Sequence, residues 1–269
     1  MRKTQGGGLK KVAIVTGGAK PDSIGAAVVR GLQEEGMQVV VADLYEAGFG
    51  AMKDAHCIRA DVADPKAVDA MVAATIAKFG RVDVLVNCVG GSWGITVEDL
   101  TAPPPRGFRG LTNCSLDDWR TILGANLDSA FYCCRSAAPH LKKQGGAIVN
   151  LASIAARKGI PPGAEGSSGP YAVAKAGVMA LTRQLALELG EFGVRANCVA
   201  PGVIASGRLA KVLAISGKGK GPEGPLAQIP MGRVGTVEET AALIVALCTD
   251  DTSYMTGAMI DINGASYAA

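Results

Sequence analysis

The stretch Gly169-Pro-Tyr-Ala-Val-Ala-Lys-Ala-Gly177 places Tyr171 and Lys175 one helical turn apart, directly behind a proline. Residues i and i+4 share a helix face, and a proline suits the first helical position. The phenol therefore lies near the positive end of the helix dipole. Such a pair can move a proton. A free tyrosine ionises near pH 10, and bringing it to about 7 takes roughly 4 kcal/mol. An ammonium about 4 Å away, at an effective dielectric near 20, supplies roughly that amount. The spacing alone is unspecific, since a lysine four residues after some tyrosine arises by chance in roughly a quarter of chains this size.

A second set of residues suits phosphate. Thr16-Gly-Gly-Ala-Lys-Pro-Asp-Ser-Ile-Gly25 joins an apolar run to the helical Ala26-Ala-Val-Val29. Glycines there let the backbone approach a pyrophosphate, and a helix N-terminus offers free N–H groups, which nominates Gly17, Ser23, Ile24 and Gly25. Asp43 closes the next apolar run, where a dinucleotide site expects a carboxylate on the adenosine ribose. That charge repels a 2′-phosphate, and Leu44, not an arginine, follows it. Both features favour NAD over NADP. Lys20, in the glycine segment, keeps NADP possible. Asp61-Val62 and Asn87-Cys-Val-Gly90 close the third and fourth runs.

The elements that must carry these groups are legible as a pattern. Short β-branched runs begin at Lys11, Gln38, His56, Val82, Ala147, Val194 and Ala258, with helical stretches between them. Continuous apolar strands are buried on both faces, as parallel sheets require. Asp64-Pro65 reads as a helix start, and Ser115 to Asp118 and Thr236 to Glu239 have the form of capping boxes. The expectation is an α/β fold: a single Rossmann-like domain over 11–269, a doubly wound parallel sheet of about seven strands with helices on both faces. A flexible segment, 1–10, precedes it. Irregular segments at 91–114, 159–170 and 203–230 are expected to shape a substrate pocket.

Bulk properties narrow the function classes. With 27 basic against 24 acidic residues the net charge is +3, which leaves no electrostatic footprint for nucleic acid. No run approaches the roughly 18 apolar residues of a membrane span. Seven cysteines without a C-x-x-C point to reduced thiols and a cytoplasmic chain, and two distant histidines suggest no metal site.

Taken in order, the glycine segment, the acid after the second run, Asp-Val, Asn-x-x-Gly, a helical Asn, Ser, Tyr-x-x-x-Lys and Pro-Gly resemble the short-chain dehydrogenase/reductase family from about Lys11 to Gly264. The resemblance implies an NAD(P)-dependent oxidoreductase acting on alcohols and ketones. It makes Tyr171 the general acid/base, with Ser153 polarising the substrate oxygen. Lys175 would hold the nicotinamide ribose and favour tyrosinate, and Asn126 would anchor a relay water. Pro201, Gly202, Ile204 and Ser206 match the loop that holds the carboxamide. Asp61 and Val62 would flank the adenine, with Asn87 and Gly90 supporting the cofactor. The resemblance also implies a homotetramer, with helices around 115–144 and 170–192 in one interface.

Three departures stand out. The glycine segment is two residues longer than usual, with Ser23 in place of its middle glycine. Its Ser-Ile ending is similar to enoyl reductases of the superfamily, but those use Tyr-x6-Lys, and position 168 is serine. Ser153 and Tyr171 stand 18 apart, so the 159–170 loop carries an insertion. Trp93, Ile95, Phe108 and Leu111 suggest apolar pocket walls, and Arg106, Arg109 and Arg157 are candidates to meet an anionic group. The sequence thus reads as an NAD-dependent secondary-alcohol dehydrogenase, or ketone reductase in reverse. An NADPH-dependent 3-oxoacyl-type reductase is the alternative, and a non-catalytic dinucleotide sensor a distant third.

Overall fold

Seven strands form one parallel sheet in the order β3-β2-β1-β4-β5-β6-β7. They are β1 (Val12–Thr16), β2 (Gln38–Asp43), β3 (Ala55–Arg59), β4 (Val84–Asn87), β5 (Gly146–Leu151), β6 (Val194–Pro201) and β7 (Met259–Ile262). The computed structural model describes residues 9–92, 110–161, 168–207 and 228–268. Helices α1 (Ile24–Glu34), α2 (Pro65–Phe79), α3 (Leu116–Leu123), α4 (Ser129–Leu141), α5 (Ala155–Lys158), α6 (Gly169–Leu189) and α7 (Val237–Cys248) connect and cover the strands.

Side chains alternate across a strand, and here the alternation separates two cores. Val12, Ile14, Val40, Leu85 and Ile148 face Met71 and Val72 of α2, Cys133, Ala137 and Leu141 of α4, and Leu189 of α6. Ala13, Val15, Val39, Val41, Val86 and Val149 face Val28 and Leu32 of α1 with Ile244 and Leu247 of α7. Strands buried on both sides explain the uninterrupted apolar runs. Each fully buried Leu or Ile contributes about 1.5–3 kcal/mol of transfer free energy.

Local chemistry sets the helix ends. Ser23 caps α1 by accepting from the Ala26 N–H at 3.1 Å. Asp64 caps α2 with Pro65 at its first position, and Gly80 ends it in the left-handed region. Thr236 and Glu239 cap α7 reciprocally. At Ser115 the hydroxyl accepts from the Asp118 N–H at 3.0 Å and caps α3.

Strand order reverses at β1: the chain winds outward through β2 and β3, then returns past β1 to β4. In open α/β sheets, ligands bind outside the carboxyl ends of the strands at this switch point. Thr16, Asn87 and Leu151 end three adjacent strands there.

Candidate active site

Two clefts meet at the switch point. One, of about 200 Å³, is lined by Gly17, Lys20, Ser23, Asp43, Leu44, Tyr45, Asp61, Val62, Cys88 and Gly90. Asp43 is fixed in its wall: one carboxylate oxygen accepts from the Ala19 N–H at 2.9 Å and the other from the Tyr45 N–H at 3.0 Å. Each oxygen keeps a lone pair for a further donor. The larger cleft, about 540 Å³, shares Gly17, Ser23, Cys88 and Gly90 with the first. It continues past Ile24 and Gly25 to Ser153, Tyr171, Pro201, Gly202, Ile204 and Ser206.

The cradle between them fits a dinucleotide. A Cβ on Gly25 would overlap the Gly17 carbonyl, so the α1 N-terminus can pack this closely under the loop only with glycine. Gly90, at φ +148°, is boxed in from behind: a Cβ there would strike the Asn126 side-chain oxygen and lie 2.8 Å from the Lys175 ammonium. Gly17, Ser23 and Gly25 would hold the pyrophosphate, Asp43 the adenosine ribose, and Asp61 with Val62 the adenine wall.

At the far end, Ser153 and Tyr171 come together across 18 residues of sequence. Burial raises the Tyr171 pKa above its ordinary value, and a hydrogen bond with the Ser153 hydroxyl opposes that shift. Ser153 also accepts from the Ala155 N–H at 3.1 Å, which fixes its oxygen at the start of α5. Lys175 is 3% exposed, and its ammonium donates to the Leu151 carbonyl at 2.7 Å. Burial lowers its pKa to about 8, opposed by the Cys198 and Cys88 thiols. It stands 5.8 Å from the Tyr171 ring centroid. The Leu151 carbonyl anchors the lysine.

Asn126 lies on a π-helical turn, Gly124–Asp128, between α3 and α4. Its side chain is held at both ends: the amide donates to the Gly91 carbonyl at 3.0 Å and the Ile122 carbonyl at 2.9 Å, while its oxygen accepts from the Gly91 N–H at 3.0 Å. The turn thus locks the helix to the loop after β4. Such single π-turns recur at functional sites.

Some expectations need correction. Asn87 lines neither cleft. It is 5% exposed and donates to Asn150 Oδ1 at 2.8 Å; Asn150 in turn donates to Thr182 Oγ1 at 2.9 Å, tying β4, β5 and α6 together. Any support it gives a cofactor would act through strand register. Arg157 does not await an anion, because it pairs with Asp261 at 3.2 Å and donates to the Met259 carbonyl. Trp93, Ile95, Arg106, Phe108 and Arg109 lie outside the described residues. Leu111 is described; it packs beside Gly169 at the start of α6.

Other residues at the site escaped the sequence reading. Cys88 lines both clefts, but burial pushes its thiol up to about 12 despite Lys175, so it stays protonated. Ser168, fully buried outside both clefts, donates to the Ser92 carbonyl at 2.9 Å and pins the start of α6 to the loop after β4. Lys158 reaches the larger cleft from the end of α5. Its spacing from Ser153 was the available signal.

Comparison with known proteins agrees with this geometry. A family profile described as "Enoyl-(Acyl carrier protein) reductase" matches residues 17–265. The short-chain reductase protein NovJ of Streptomyces niveus is 35% identical, over 95% of this chain and 93% of its own. The 3-oxoacyl-[acyl-carrier-protein] reductase FabG of Staphylococcus aureus is 34% identical, over 96% and 99%. Among solved structures, "ElxO with NADP Bound" superposes with a TM-score of 0.81 at 28% identity, covering 96% of this chain and 98% of that one. No helix among the described residues is long and apolar enough to cross a membrane. With this fold, these relatives and Tyr171 and Lys175 in its spacing, the chain belongs to the short-chain dehydrogenase/reductase family and is an NAD(P)-dependent oxidoreductase.

Proposed function

We propose that the chain interconverts a ketone and a secondary alcohol of the 3-oxoacyl type, with reduction by NADPH as the favoured direction. One observation carries the chemistry: Ser153 and Tyr171 are hydrogen-bonded at the wall of a cleft that runs on to the glycine segment. A bound dinucleotide would supply the hydride. The Ser153 hydroxyl donates to the substrate oxygen, and the Tyr171 phenol delivers the proton as the oxygen gains charge. Lys175 holds the nicotinamide ribose and returns a proton towards the phenol. Asn126, bonded to the loop after β4, would anchor a relay water.

The substrate class rests on the FabG and NovJ likenesses, and the cofactor on the NADP of the ElxO structure. These shift the reading from the NAD-dependent dehydrogenase that Asp43 suggested towards its alternative. Asp43 nevertheless favours a second reading with NAD, because its anchored carboxylate faces the ribose position. Enoyl reduction is disfavoured, because its Tyr-x6-Lys spacing falls on Ser168, whose hydroxyl is already bonded.

Initial rates with 3-oxobutanoyl-pantetheine, using NADPH and NADH in parallel, test both choices. Consumption of either dinucleotide supports the ketone chemistry, and a preference for NADPH supports the first cofactor reading. A preference for NADH makes Asp43 decisive. Dinucleotide binding without turnover on this thioester or on a panel of ketones would instead fit a sensor.

A further inference from the structure

Among the larger cleft's described lining residues there is no carboxylate, and Lys158 alone carries a formal charge. Lys158 follows Ser153 by five residues, at the end of α5, so its position is tied to the residue proposed to hold the reacting oxygen. Its neighbour Arg157 is paired with Asp261, whereas Lys158 has no ion-pair partner among the described residues. Its ammonium donates to the Ser266 carbonyl at 3.4 Å. A neutral carbonyl holds an ammonium in place without cancelling its charge.

We infer that Lys158 is a specificity-determining residue that binds an anionic group carried by the substrate, remote from its reacting carbonyl. This rests on the proposed ketone chemistry at Ser153 and Tyr171 and goes beyond it, since that chemistry is indifferent to substrate charge. Two sources can supply such an anion: the phosphate of a pantetheine-borne acyl group, or the carboxylate of a free keto acid. In either case the charge meets an ammonium in a cleft wall free of competing described acids. Lys158 is exposed at the cleft wall, so an incoming anion reaches its ammonium without rearrangement of the chain.

Two substrate pairs test this. The first is 3-oxobutanoyl-4′-phosphopantetheine against 3-oxobutanoyl-pantetheine; the second is 5-oxohexanoate against its methyl ester. Within each pair the neutral member is the internal control. In at least one pair, the anionic-to-neutral ratio of kcat/KM should exceed one at low salt and shrink as ionic strength rises. Lys158→Glu should lower that ratio about fivefold or more, mainly through KM, and Lys158→Arg should retain it. The pair that responds identifies the source of the anion. Turnover that depends on Tyr171, with ratios unchanged by Lys158→Glu in both pairs, overturns the anion site and leaves the proposed function standing. Absence of Tyr171-dependent turnover for all four compounds would remove that function, and this inference with it.

Discussion

Asp43 and Lys175 are single charges whose surroundings give them opposite tasks. Asp43 is held by two backbone N–H groups, so its carboxylate cannot swing away from an incoming 2′-phosphate. Asp43→Asn should therefore raise the NADPH-to-NADH ratio of kcat/KM about tenfold, read from parallel steady-state rates. Lys175 is a buried cation. Its pKa is about 8 in the folded chain against an ordinary 10.5, so between those values the unfolded state holds more protons than the folded one. Stability from this group consequently rises as pH increases from about 8 to 10.5. Urea unfolding of the wild type relative to Lys175→Met should show that rise, and a flat difference would contradict it. The types and order of these residues were legible in the sequence. Their electrostatics were not, because the Leu151 carbonyl that anchors Lys175 comes from a strand 24 residues away.

At the scale of elements, the helix starts do the positioning. Gly25→Ala should push the α1 N-terminus off the glycine loop and weaken dinucleotide binding by more than about tenfold, measured by titration. Thr236→Ala removes one half of the α7 capping box and should cost about 1 kcal/mol in denaturant unfolding, without changing dinucleotide affinity. Strands and caps could be read in advance because they follow local rules: apolar runs, Asp-Pro, Thr-x-x-Glu. The π-turn at Asn126 could not, since it depends on a bond to Gly91, 35 residues earlier. The bonding of Asn87 was hidden for the same reason. Its motif position suggested the cofactor, while its side chain turns into the sheet towards Asn150.

For the molecule as a whole, the parallel sheet and its switch point were foreseeable from strand–helix alternation, and they place the site. Assembly is a separate matter. Phe131 on α4 and Val173 and Leu187 on α6 are exposed apolar side chains on the two helices expected to form an interface. If they pair with a second copy, Phe131→Asp should lower the oligomeric state seen by light scattering, whereas an unchanged mass would point to another surface. The proton chemistry is tested most directly by Tyr171→Phe, with kcat and dinucleotide affinity measured on the same preparation. Turnover should fall at least about a hundredfold, while affinity stays within about threefold of wild type. Retained turnover would contradict the role given to the phenol, and joint loss of both would reduce it to a structural one.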